Sequence, residues 1–87
     1  MLLSSLPHLE ILDMSGSGLR ALPSELFSQN IGLKSLLLAR TQLSEITEMT
    51  FDELKNLTVL DLSFNRIQVI YLKYIYIFYL KSSSFKI

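Results

Sequence analysis

Leu9, Leu33 and Leu57 stand 24 residues apart, and the residues that follow each of them repeat in phase. The companion columns are Leu12, Leu36 and Leu60; Met14, Leu38 and Leu62; Leu19, Leu43 and Ile67; and Leu22, Ile46 and Ile70. Aligned apolar columns on this scale do not arise by chance in a chain of 87 residues. A fixed period of this size predicts stacked units, each unable to bury its apolar face alone, rather than one globular core.

Each unit reads L-x-x-L-x-L-x-x-(N/S/T)-x-L-x-x-L. Leu12 and Met14 are two apart, as are Leu36 and Leu38, and Leu60 and Leu62. That spacing puts both side chains of a pair on one face of a strand, and Asp13, Leu37 and Asp61 on the other. One short strand per unit, laid beside the next, makes a parallel sheet. Parallel strands need a crossover of a dozen or more residues, which the rest of each unit supplies. The crossovers carry helix signals. Thr47 is placed to cap 48–55, or Thr50 and Glu53 to form a capping box. Asp52 and Glu53 come early and Lys55 late, as the helix dipole prefers. Pro23-Ser24-Glu25-Leu26-Phe27 predicts a short helical turn, and Phe27 and Phe51 form an aromatic column. The polar column is Ser17, Thr41 and Asn65. An amide at Asn65 can donate to and accept from backbone groups left open where the chain turns. Ser17 and Thr41 have less reach, so the ladder should be weaker in the first two units.

These residues resemble a leucine-rich repeat, and Leu57-Thr58-Val59-Leu60-Asp61-Leu62-Ser63-Phe64-Asn65-Arg66-Ile67 matches that motif at every defining position. The resemblance covers roughly residues 3–70. It implies an α/β fold: a short, curved, uncapped solenoid of about three repeats. Its parallel strands would line the concave face and its short helices or turns the convex one. The 24-residue period with a phenylalanine in the crossover resembles the typical subclass, common in extracellular receptors and matrix proteins, including the ectodomains of Toll and Toll-like receptors. The resemblance thus implies a fragment of an extracellular or membrane-bound parent, with an intracellular scaffold as the alternative.

The period divides the chain into a remnant at 1–8, repeats at 9–32 and 33–56, a truncated repeat at 57–70, and a tail at 71–87. Extending it past Ile70 puts Lys81, Ser84 and Lys86 where Leu57, Leu60 and Leu62 would recur, so no fourth core-facing strand is expected. All four tyrosines lie in the tail, and no acid does. Ile75 and Phe78 fall in the columns of Phe51 and Leu54, so Tyr71–Leu80 reads as a degenerate convex segment. The competing reading is translated non-coding sequence beyond a missed splice site. Charge divides at the same place. Residues 1–61 hold all eight acids against Arg20, Lys34, Arg40 and Lys55, a balance of −4. Residues 62–87 hold Arg66, Lys73, Lys81 and Lys86, a balance of +4.

A hydrophobic content of 49% is too high for a disordered chain. Zero net charge gives no global field toward nucleic acid. With no cysteine and with His8 as the sole histidine, neither a thiolate metal site nor a histidine-centred nucleophile has its partners. Asp13 and Asp61 lack companion acids, and Gly16 and Gly18 open no phosphate-binding helix. No catalytic residue, metal or cofactor is expected, nor a small-molecule substrate or nucleic acid. The Val69–Leu80 apolar run is too short to span a bilayer, which takes about 20 residues, so membrane attachment would come only through another part of the parent chain.

The candidate binding face is the concave one, with Glu10, Asp13, Lys34, Leu37, Arg40, Val59, Asp61 and Phe64. Leu37 flanked by Asp13 and Asp61, with Arg40 beside Phe64, would make a small protein-binding patch. The plainer reading is a solvated sheet face, because three strands fall short of the roughly 800 Å² per partner of an ordinary interface. Asn56-Leu57-Thr58 is a glycosylation sequon, so Asn56 is a candidate glycan site in a secreted protein. The sequence therefore predicts a non-catalytic protein-interaction module from a larger receptor or adhesion-type protein. Its alternatives are an intracellular scaffold and a gene fragment without independent function.

Overall fold

A computed structural model of the chain describes residues 2–22, 25–46, 54–67, 69–70 and 84–87. One four-stranded parallel sheet organises them, built in the order β1 (Ile11–Asp13), β2 (Ser35–Leu37), β4 (Val59–Asp61), β6 (Ser84–Lys86). The register follows the sequence period through the first three strands: Ile11 lies beside Ser35 and Ser35 beside Val59, with Leu12, Leu36 and Leu60 in line. Glu10 O accepts from both Lys34 N and Ser35 N, at 2.8 and 3.0 Å, and Lys34 O accepts from Thr58 N and Val59 N at 2.9 and 3.0 Å. The strands are three residues long, and β2 and β4 alternate half-buried, buried, half-buried. One face is thus core and the other open, as period-two patterning requires.

The core is the stacked leucines. Leu33, Leu36, Leu38 and Leu43 are fully buried, joined by Leu57, Leu60, Leu62, Leu22, Ile46, Leu54 and Phe27. The equivalents in the first repeat, Leu9, Leu12, Met14 and Leu19, are only half-buried and pack against this cluster from one end.

A second parallel ladder runs where the sequence patterning promised only crossover. β3 (Glu45–Ile46) pairs with β5 (Val69–Ile70), and Ala21 bridges to Glu45. Positions 21, 45 and 69 are again 24 apart. Leu22 and Ile46 belong to columns found by periodicity, but two-residue strands are too short to display an alternation. The remaining described crossover is turns rather than helix: Ser28 N donates to Glu25 O at 3.2 Å and Asn30 N to Phe27 O at 3.0 Å. Among the described residues the only helical segment is a 3-10 turn over Leu2–Ser5. Most of the helix expected over 48–55, with Thr47, Thr50 and Phe51, lies outside the described residues, as do Pro23, Ser24 and Tyr71–Leu80.

The expectation of no fourth core-facing strand is overturned. β6 pairs with β4 through Ser84↔Val59, Phe85↔Leu60 and Lys86↔Asp61, a spacing of 25 rather than 24. The extra residue matters because side chains alternate, and a slip of one exchanges the two faces of a strand. At a spacing of 24, Ser84 and Lys86 would face the core. At 25, Phe85 takes the leucine column and packs against the core, while Lys86 stays exposed.

Two asparagines tie neighbouring repeats together. Asn65 Oδ1 accepts from Thr41 N, Thr41 Oγ1 and Leu43 N at 2.9, 2.9 and 3.0 Å. Its Nδ2 donates to Leu38 O at 2.8 Å and Leu62 O at 3.0 Å. One side chain thereby satisfies backbone groups of two repeats at the strand exit. Ser17, in the same column, is exposed, and its side chain makes no hydrogen bond among the described residues. Asn30 was not anticipated. It replaces the leucine of the column formed by Leu6 and Leu54, is buried, and donates from Nδ2 to Leu3 O and Leu6 O at 3.1 and 3.0 Å. Its Oδ1 is buried without a partner among the described residues.

Asn65→Ala removes the acceptor of Thr41 N and Leu43 N and a donor to the Leu38, Leu62 and Ser63 carbonyls, and should cost at least about 2 kcal/mol. Ser17→Ala should stay within about 0.5 kcal/mol, as an exposed position does. Urea unfolding of the two variants checks the contrast, and equal effects would contradict it.

Candidate interaction face

The open face of the sheet arranges its side chains in rows that cross the strands. The row of Asp13, Leu37, Asp61 and Lys86 follows from the register, so Leu37 stands between two acids, and Asp61 between Leu37 and a base. The neighbouring row is Ile11, Ser35, Val59 and Ser84; Ile11 is 65% exposed and the other three are half-buried. Just before the strands, Glu10 and Lys34 form an exposed ion pair at 2.9 Å. The pair's hydrogen bond and charge attraction hold the Glu10 carboxyl below its ordinary range and the Lys34 ammonium above. An exposed pair adds little to stability, because water already solvates both ends.

At the strand exits, two Asp-x-Ser turns anchor the acids. Ser15 N donates to Asp13 Oδ1 at 2.9 Å, and Ser63 N and Ser63 Oγ donate to Asp61 Oδ1 at 3.0 and 2.6 Å. Ser15 Oγ also accepts from Ala39 N at 3.2 Å, linking the first two repeats. The Asp-x-Ser spacing is a turn signature legible in the sequence, since a short carboxylate bonds the backbone two residues on. The Ser63 hydroxyl lowers the Asp61 carboxyl below its ordinary value. Partial burial opposes it, while Ser63 N–H, Lys86 and Arg40 add smaller downward pulls.

One residue further on, the backbone turns left-handed in every repeat: Gly16 at φ 75°, Arg40 at φ 56° and Phe64 at φ 58°. Glycine meets this geometry without strain, whereas a side chain raises the energy by roughly 1 kcal/mol. The first repeat has the glycine; the next two carry large side chains instead. Those side chains meet, with the Arg40 guanidinium 4.5 Å from the centre of the Phe64 ring. Phe64 is nonetheless 74% exposed.

The structure thus joins Glu10 to Lys34 and Arg40 to Phe64, and sets Leu37 between Asp13 and Asp61. Val59 stands half-buried in the adjacent row. Asn56 lies apart from this face, exposed, with Nδ2 donating to Ile31 O at 3.0 Å. His8 is exposed. Lys86 is the member sequence reasoning missed, because the slip before β6 hid which face it joins. Among the described residues there is no cluster of three or more His, Cys, Asp or Glu able to hold a metal, and no helix long and apolar enough to cross a membrane.

A family model described as leucine rich repeat matches residues 4–77, which takes in β1 to β5 and the Asn65 bridge but not β6. The chain belongs to the leucine-rich repeat family. These repeats are a protein-interaction family and are generally non-catalytic. No curated protein matches the chain.

Asp61 also makes the face pH-sensitive. Its folded-state pKa lies below the unfolded value near 3.8, so its contribution is complete above that pH and is lost as pH falls through the lowered value. Ser63→Ala should raise the Asp61 carboxyl titration midpoint toward the ordinary value, followed by NMR of the side-chain carboxyl carbon. An unmoved midpoint would contradict the assigned cause.

Proposed function

We propose that this chain is a non-catalytic protein-binding segment of a larger leucine-rich-repeat receptor or adhesion-type protein, of the extracellular kind to which Toll-like receptor ectodomains belong. It grips another protein with the open face of its sheet. The observation that carries this reading is the Arg40–Phe64 pair. Both residues hold a backbone geometry that glycine adopts more readily, and the aromatic ring remains mostly in water. Strain retained beside an exposed aromatic is better accounted for by a contact than by folding. Arginine and aromatic residues dominate interface energetics, and here they border Leu37 with acids on either side. The partner's matching surface would offer an apolar contact for Phe64 and Leu37, ringed by donors for Asp13 and Asp61. The 24-residue period and the Phe27 and Phe51 column support the extracellular parent.

A photoreactive amino acid at Leu37 should capture a protein from the native cell surface, while the same probe at Ser28, on a crossover turn, should not. Phe64→Gly should reduce that capture at least about tenfold, with a change in stability of no more than about 1 kcal/mol. Equal capture from both positions, or capture indifferent to Phe64, would refute the assignment of this face.

Expression through a secretory pathway should add a glycan at Asn56, seen as a mobility shift removed by a glycosidase and absent in Asn56→Gln. The amide that would carry it is exposed, and its bond to Ile31 O needs only one of its two protons. A secreted product without the shift would count against the extracellular parent.

A further inference from the structure

Of the cations on the open face, Lys34 is paired with Glu10 at 2.9 Å, and Lys86 stands beside Asp61 in register. Arg40 differs. It is exposed, and its guanidinium forms no ion pair or hydrogen bond among the described residues. Asp61 attracts it through space without reaching it, and the nearer oxygen of that carboxylate is already held by Ser63.

What holds Arg40 is the Phe64 ring, whose centre lies 4.5 Å from the guanidinium. Such a contact uses the flat face of the cation and leaves its N–H edge free to donate. The side toward β1 is bare. Gly16 occupies the column of Arg40, and a methyl group placed there would meet nothing within 4 Å. Gly18 is equally bare in the column of Gln42, itself exposed and left-handed at φ 70°. A ligand can therefore reach the guanidinium from the side of the first repeat. Arg40 and Phe64 follow β2 and β4, the inner strands of the sheet, so repeats stacked on either end would not cover them.

We infer that the protein partner engaging this face presents a carboxylate side chain to Arg40, held by two parallel N–H···O bonds from the guanidinium edge. The inference rests on the open face as the binding surface and adds the chemistry of what meets its rim. A stacked guanidinium already has its plane fixed, so pairing with a carboxylate costs it little further ordering. Charge decides where that acid lands. Asp13 and Asp61 flank Leu37 and repel a carboxylate there, whereas Arg40, three residues on, attracts one. The matching surface therefore carries an apolar side chain over Leu37 and an acid beside it over Arg40, and the reversed order is rejected.

NMR of the nitrogen-labelled wild-type chain tests this through the Arg40 side-chain Nε–H. The probes, at constant ionic strength, are a capped peptide holding a leucine and an aspartate, the same peptide with asparagine in place of the aspartate, and a sulfated disaccharide. The aspartate peptide should move the Arg40 resonance saturably and slow rotation of the guanidinium, as a two-bond pairing does. The asparagine peptide should bind at least about tenfold more weakly, since it loses the charge-assisted bonds. Arg40→Lys keeps the charge but not the fork, and should weaken the aspartate peptide at least about tenfold. An Arg40 signal indifferent to the aspartate peptide overturns the inference. So does equal binding of the two peptides, or an Arg40→Lys variant that binds as wild type does. A sulfated disaccharide that binds more tightly than the aspartate peptide also overturns it, assigning the guanidinium to a glycan. Photocapture at Leu37 separates this inference from the reading beneath it. Capture that persists while Arg40 ignores the carboxylate removes the acid contact and leaves the face; loss of both removes the face as well.

Discussion

Everything in this structure depends on a crossover that returns the chain to the same height at each turn. A three-residue parallel strand has too few bonds to fix its own register. Its place is set by the segment that delivers it, and a constant 24 residues delivers Leu12, Leu36 and Leu60 into one line. Because side chains alternate along a strand, that single constraint also decides what faces water. Asp13, Leu37 and Asp61 form a row on the open face for the same reason that the leucines form one in the core.

Stacking turns backbone polarity into the main cost. Each repeat buries the turns of its neighbours, and a buried N–H or C=O without a partner destabilises the fold. Asn65 answers this at the strand exit with an amide that both donates and accepts, spanning two repeats at once. Asn30 does related work on the opposite side of the stack, holding the carbonyls of Leu3 and Leu6. It does so in a leucine column and at the expense of a buried oxygen without a described partner. Thr41 is drawn into the Asn65 bridge as donor, while Ser17 is left outside it.

The parts legible in the sequence were those governed by periodicity. The columns placed β1, β2 and β4 and most of the buried set, and the Asn65 bridge followed from amide chemistry at a turn. The second ladder was not legible, because two residues at Glu45–Ile46 carry no readable alternation. Nor was β6. A rigid period put Ser84 and Lys86 inward, whereas one extra residue in the last crossover brings Phe85 inward instead. On the open face the residue types were readable, but the left-handed backbone at Arg40 and Phe64 was not, since such positions are normally signalled by glycine. It is there that the structure adds most to the proposed interaction face, by holding an exposed aromatic beside a guanidinium at the rim of the sheet.

The most direct test of this account is the register of the last strand, since the faces of all four strands rest on one rule and β6 is its exception. Nuclear Overhauser contacts in the isotope-labelled chain read it without any substitution. The account predicts contacts from the Phe85 ring to the methyl groups of Leu60, and between the backbones of Lys86 and Asp61. Contacts placing Ser84 beside Leu60, with the Phe85 ring toward solvent, would contradict it.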